Sequence, residues 1–235
     1  RIDFEQVDDL FLTHLDRDHF HPGWVRGMPS RILVHIHQRH FRRALQAGLH
    51  PKRLRALEDD FTLHESLRIQ PILAAHDDLG VVAFRFEVGE ASARVGGESV
   101  TAGFATDLGR VPDELVDHLH DVDLLAIESN YCPRLQKAST RPDFLKRRIM
   151  GGAGHLSNEQ CAEAVRAIAP TQHVVLLHLS QECNKPDRAA AFHGDAPYAL
   201  TLSSQSQPTP WIRPAARRRI DVSVRAPAVP TSLFA

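Results

Sequence analysis

The sequence predicts a mixed α/β (α+β) fold, built of stacked sheet layers with helices on their outer faces. Three observations carry that prediction. Short apolar runs bounded by turn residues recur along the chain and read as buried strands. Helical segments alternate with them, which suits strand–helix units. Several strands nonetheless adjoin through short loops, and a purely parallel sheet does not permit that because each parallel connection needs a long crossover.

Taken in order, residues 7–13 (VDDLFLT) predict a short strand that ends in a cluster of His and Asp. Residues 31–36 (RILVHI) predict a second. The helix after it, QRHFRRALQAG, is closed by Gly48, since glycine accepts the left-handed turn that follows a last helical residue. Residues 67–75 (LRIQPILAA) are strand-like and deliver His76. GVVAFRFEVG and ESVTAGFATD, joined by a glycine-containing loop, predict two antiparallel strands. Pro112 suits the first turn of a short helix, and VDLLAIES reads as a buried strand. SNEQCAEAVRAIAP is the clearest helix: Ser157 and Gln160 have capping-box spacing, and Pro170 stops it. HVVLLHLS and APYALTLSS supply the last strands. After Trp211, proline, alanine and arginine occur without sustained periodicity. Residues 1–214 are therefore expected to form one domain and 215–235 a flexible tail.

Composition narrows the function. The chain has 235 residues, 43 % hydrophobic and 24 % charged, as ordinary soluble domains do. No apolar run approaches the roughly 20 residues of a membrane span, and RIDFEQVDDL has no signal-peptide pattern. A formal net charge of −1 does not demand a nucleic-acid or membrane partner. Three cysteines without a CxxC pair read as free thiols of a reducing cytoplasm. The chain starts at arginine close to its most chemical segment, which is expected of a processed chain or one whose natural start lies upstream.

One pattern repeats. An apolar strand ends, and His or Asp follows: His14 after LFLT, His76 after PILAA, Asp107 after GFAT, His178 after VVLL. Strand ends on one sheet edge are where distant parts of a chain converge on a site. With Asp16, Asp18 and His19 beside the first ending, the chain offers a cage of four His and three Asp. Imidazole nitrogen and carboxylate oxygen are ligands for zinc, iron or manganese. A pair of divalent ions about 4 Å apart activates water and stabilises both oxygens of a displacement. Metal-assisted hydrolysis is the chemistry that follows. A single strand-end histidine carries no such weight; its recurrence does.

THLDRDH resembles the T-H-x-H-x-D-H signature of the metallo-β-lactamase fold, and GFATDLG its strand-end aspartate segment. KRRIMGGAGHLSNEQCAE, LLHLSQECNKP and ALTLSSQSQPTPW resemble more narrowly the YycJ/WalJ-type subfamily of exonuclease-like hydrolases. The resemblance implies an αββα sandwich with two divalent ions at the sheet edge. It implies that His14 and His76, with the residue at 16, hold one metal; that Asp18, His19 and His178 hold the other; and that Asp107 bridges. Asp18 would take or orient a proton of the water. His155, just before the capped helix, either contacts a substrate phosphate, since helix N-termini favour anions, or is a loop histidine that helps cap the helix. DNA or another phosphodiester is the implied substrate.

The chain departs from the pattern twice. Asp16 stands where the signature has histidine, which adds negative charge and a harder donor. Either this moves preference from zinc toward iron or manganese, or the shorter side chain misses the metal and leaves one site weak. About two strands that precede the signature in the family are also missing, so an N-terminally incomplete sandwich is expected.

Other segments have bland readings beside chemical ones. Glu128 and Asn130 either orient ligand histidines or make loop-start hydrogen bonds. His35, His37 and His40 are expected to be a packing or solvated face, for want of an accompanying carboxylate. Among RHFRR, KRR (146–148) and RRR (217–219), KRR is the best placed for phosphate. The alternatives to a nuclease are a hydrolase of small esters, lactones or thioesters, and a vestigial metal-binding protein without activity.

Overall fold

The computed structural model describes residues 4–76, 78–89 and 98–218. Among these residues the strands form two sheets. The smaller holds β1 (Asp9–Phe11), β2 (Leu33–Ile36) and β3 (Leu54–Ala56), all parallel. The larger comprises β4 (Phe61–Leu63), β5 (Leu67–Ala74), β6 (Val81–Gly89), β7 (Glu98–Ala105), β8 (Leu124–Glu128), β9 (His173–Leu177), β10 (Ala199–Leu202) and the two-residue β11 (Arg217–Arg218). β4 to β7 pair antiparallel, whereas β7 to β10 pair parallel. The hairpins of the first half and the helical crossovers of the second explain that switch.

Helices cover the two outer faces. α1 (Gly23–Gly27) and α2 (Phe41–Gln46) lie on the small sheet, where Val25, Phe41 and Ala44 join the core around Val34 and Ile36. On the far face of the large sheet, α3 (Asp113–Leu119) and α6 (Asn158–Ile168) bury Leu115, Leu119, Val165 and Ile168 against Leu125, Ile127 and Val174. The two sheets meet through aromatic rings. Phe11 of β1 lies edge-on to Phe84 and Phe86 of β6, and His35 of β2 stacks on Phe61 of β4 with ring centres 5.5 Å apart. The order is helix, sheet, sheet, helix: the four-layer sandwich.

The capping box of α6 forms as its spacing predicts, Ser157 Oγ accepting from Gln160 N while Gln160 Oε1 accepts from Ser157 N. Three further helices, α4 (Pro133–Ala138), α5 (Asp143–Met150) and α7 (Pro186–Ala190), have no counterpart in the sequence reading. They are five to eight residues long, too short for apolar periodicity to build up. Nor is the histidine face without a carboxylate. His35 Nε2 lies 2.6 Å from Asp9 Oδ1 on the neighbouring strand, a partner 26 residues away that spacing cannot reveal. The first residues of the expected tail are also engaged. Ala215 exchanges two hydrogen bonds with the Gln172 side chain, and Arg217 and Arg218 pair with Ser99 and Glu98 of β7. Residues 219–235 lie outside the described residues. No helix of the described residues is long and apolar enough to cross a membrane.

Candidate metal centre

The strand ends converge on one edge. After β1, the chain passes His14 and turns back on itself, with the amides of His19 and Phe20 both donating to Asp16 O. That turn brings the His19 ring to 4.4 Å from the His14 ring, centre to centre. His76 follows β5, and the chain returns into β6 through Gly80, whose N–H donates to His76 O. Gly80 has φ +79°, and a Cβ there would sit 2.9 Å from Ala74 O, so only glycine fits. The buried His40 donates from Nε2 to Gly80 O at 3.0 Å, which ties this turn to the chain just before α2.

Asp107 and His178 follow β7 and β9. Both have left-handed backbone, with φ of +56° at each. A turn of that kind directly after a strand lifts the side chain off the sheet plane and toward the edge; outside glycine it occurs chiefly at Asn, Asp and His. His155 arrives on the loop between α5 and α6. That loop presses on the chain after Asp107 so closely that a Cβ on Gly109 would lie 2.3 Å from Gly152 O.

Three overlapping sets of donor atoms result, each set lying within 4.8 Å: His14, His76 and Asp107; Asp18, His19 and His178; and Asp107, Glu128, His155 and His178. His19 Nε2 is 2.9 Å from Asp107 Oδ2, and His178 Nε2 is 3.4 Å from Asp18 Oδ2 and 3.7 Å from Asp107 Oδ1. Six of the seven residues expected as ligands thus meet. Asp16 belongs to none of the three sets; its Oδ2 stands 3.9 Å from His14 Nε2, and its Oδ1 faces Arg43 at 3.3 Å.

Glu128 organises the rest. Fully buried at the end of β8, its Oε1 accepts from the amides of Leu108 and Leu156, and its Oε2 from the amide of Asp107. The same Oε2 lies 3.2 Å from His155 Nδ1 and 3.3 Å from His178 Nδ1. It therefore sets both rings with Nε2 directed away from it. Asn130 Nδ2 donates to His178 O. The geometry carries both readings open for Glu128 in the sequence, since it bonds loop amides and faces two imidazoles. Thr13 Oγ1 and Thr106 Oγ1 play smaller versions of the part, at His14 Nδ1 and Asp107 Oδ2.

The electrostatics are those of a site arranged for cations. Burial pushes His14 down to about 4, so it is neutral and able to donate a lone pair. Burial works against the His178 cation too, but Glu128, Asp107 and Asp18 push it up to about 9. Burial alone would raise Asp107; the imidazoles of His19, His178 and His14 instead hold its carboxyl well below the usual carboxylate range. His14 Nε2 and His76 Nδ1 are buried without a hydrogen-bond partner, an arrangement that buried polar atoms avoid unless something else satisfies them. Orphaned imidazole nitrogens facing a buried carboxylate fit a divalent metal ion. Replacing Glu128 with Gln keeps an acceptor for two amides but removes the charge facing His155 and His178. Metal affinity is expected to fall about 10- to 100-fold, read by competition with a chelating dye; unchanged affinity would deny Glu128 this part.

A cavity of about 670 Å³ opens beside this edge, lined by Asp18, His19 and His178 and, further out, by Ser180, Asn184, Lys185, Ser203, Ser204 and Ser206. Of the basic clusters, RHFRR supplies Arg43 at Asp16. In KRR, Lys146 Nζ donates to Lys137 O on α4, while Arg147 and Arg148 are exposed. In RRR, Arg217 is committed to carboxylates at the opposite end of the sheet.

A family model described as "Beta-lactamase superfamily domain" matches residues 1–179. Exodeoxyribonuclease WalJ of Streptococcus pneumoniae is 26 % identical over 191 residues, covering 77 % of this chain and 66 % of that protein. Exodeoxyribonuclease YycJ of Bacillus anthracis is 31 % identical over 86 residues, 36 % of this chain and 33 % of that one. The chain thus spans just under two thirds of the length of the first relative. Among solved structures, the metallo-beta-lactamase fold protein YhfI from Bacillus subtilis superposes with a TM-score of 0.60 at 12 % identity, over 92 % of this chain and 79 % of that one, a likeness of fold.

Proposed function

The chain belongs to the β-lactamase superfamily, and on that premise we propose that it is a metal-dependent hydrolase of phosphodiester bonds in nucleic acid. The observation that carries the substrate class is the cavity beside His178. Its outer wall offers serine hydroxyls, the Gln181 and Gln205 amides and the Lys185 ammonium, with no Phe, Tyr or Trp among its lining residues. Hydroxyls, amides and one cation suit phosphate oxygens. Two of the relatives are named exodeoxyribonucleases, in keeping with this reading. A small-ester or lactone hydrolase is the alternative reading, and Leu179 and Pro186 are the apolar side chains that it would use.

His14, His76 and Asp107 would hold one divalent ion; Asp18, His19 and His178, with Asp107 shared, a second. Zinc, iron and manganese all suit these donors. Bound there, such ions supply Lewis acidity toward phosphoryl oxygen and lower the pKa of water. The protein's own groups do the rest. Asp18 is largely exposed, and its Oδ2 faces His19 and His178; Oδ1 is left to accept a proton from the attacking water. His155 is held at Nδ1 by Glu128, so its Nε2 is free to hydrogen-bond a phosphate oxygen and to pass a proton to the leaving alkoxide. Lys185 and the serines orient the phosphate. The three cysteines are free and buried, which suits the reducing cytoplasm.

The direct experiment is release of nucleotides from linear DNA by metal-loaded protein. Activity is expected with Mn²⁺ or Zn²⁺ and is lost in chelator. Lys185→Ala should raise KM about fivefold, the worth of one exposed charge–phosphate contact, and leave kcat within twofold. A folded, metal-loaded preparation that cuts no phosphodiester overturns the proposal.

A further inference from the structure

We propose that Arg43 and Asp16 act as a coupled pair that weakens cation binding at the His14/His76/Asp107 end of the centre relative to the Asp18/His19/His178 end. The inference rests on the metal-centre reading and makes its two halves unequal.

Asp16 sits between His14 and Asp18 on one tight loop, so a carboxylate is available where a third donor to the His14 end would be needed. It is not given over to that end. One oxygen is 3.9 Å from His14 Nε2, while the other is 3.3 Å from the Arg43 guanidinium. Arg43 is carried on α2, which Phe41 and Ala44 pack onto the small sheet, so the fold sets its backbone within reach of Asp16. A guanidinium stays protonated at any working pH. A metal ion held at the His14 end would therefore lie beside an Asp16 carboxylate already engaged by a fixed positive charge. At the other end, among the described residues, Asp18 pairs only with His19 and His178 and with no lysine or arginine. Imidazoles yield their protons to a metal, whereas guanidinium cannot. The asymmetry follows from which cation each aspartate faces.

The test is isothermal titration of Mn²⁺ and of Zn²⁺ into the full metal-free chain, with bound metal counted by mass spectrometry. The parent is expected to show two unequal binding events. Arg43→Ala should tighten the weaker event about tenfold, in line with removing one charge a few ångströms from a divalent ion at a solvent-exposed edge, and leave the tighter one unchanged. Arg43→Gln, which removes the charge but keeps a polar, hydrogen-bonding side chain, should do the same. In an Asp16→Asn background, Arg43→Ala should change affinity less than twofold. Parent-like affinities in Arg43→Ala and Arg43→Gln overturn the proposal. So does an arginine effect of equal size with and without the Asp16 carboxylate, which would be field alone and not coupling. A parent that takes up no metal sinks the metal-centre reading itself, an outcome distinct from either.

Discussion

Asp107→Ala is expected to reduce metal-dependent hydrolysis by more than about a thousandfold, equivalent to some 4 kcal/mol of barrier. No other carboxylate in the centre occupies its position. It is almost fully buried, its Oδ2 touches His19, its Oδ1 faces both His155 and His178, and it belongs to two of the three donor sets. Removing it takes a negative charge from between the two halves and leaves the imidazoles of His14, His19, His76, His155 and His178 facing one another. The alanine also has to occupy a left-handed backbone at φ +56°, at a cost of about 1–2 kcal/mol. Asp107→Asn separates the effects, because asparagine accepts that torsion and keeps the shape while losing the charge. Both variants should lose activity and bound metal, and Asp107→Asn should melt close to the parent in chelator. Retained turnover with normal metal content in either variant would remove Asp107 from the chemistry.

The second large effect lies at the other end of the sheet and concerns stability alone. Asp123, just before β8, is fully buried. It accepts from Thr101 N and Oγ1, Thr171 Oγ1 and Gln172 Nε2, and it pairs with the Arg217 guanidinium. Arg217 reaches Asp121 as well, at 3.0 Å. β8 opposes β7 only from Ala102 onward, and β11 fills the place beside Ser99 and Glu98 that β8 leaves. Removing one partner of a buried pair costs about 3–5 kcal/mol. Here Arg217 is a third exposed and Asp123 keeps four other donors, so about 2 kcal/mol is the expected loss for Arg217→Ala. For a chain of this size that lowers Tm by about 4–8 °C. Arg217→Lys should recover only part, because one ammonium does not span Asp121 and Asp123 as the fork does. A melting temperature within 1 °C of the parent, roughly the scatter of a stability change below 0.5 kcal/mol, would show that the segment is not fastened.

Strand-end histidines and aspartates were readable because apolar runs stop sharply, and each stop at LFLT, PILAA, GFAT and VVLL leads to a residue of the centre. The capped helix was readable because Ser157 and Gln160 carry their own local geometry. What escaped depends on contacts far apart in sequence. Arg217 meets Asp123 across 94 residues, and His35 meets Asp9 across 26. Strands β3 and β4 have three residues each with mixed burial, too few to show a period of two. Asp16 is the instructive case. Its spacing puts it in the ligand series, and only the position of α2 turns it toward Arg43.

The left-handed turns at 107 and 178 have an evolutionary consequence. Each position must satisfy two filters that act independently, one on torsion and one on donor chemistry. Glycine passes the first and fails the second; glutamate and cysteine carry donors but adopt that torsion poorly; β-branched residues fail both. Aspartate and histidine are among the few side chains that pass both, so these sites have little room to drift, and a mutational path toward a different cofactor would have to begin elsewhere on the edge.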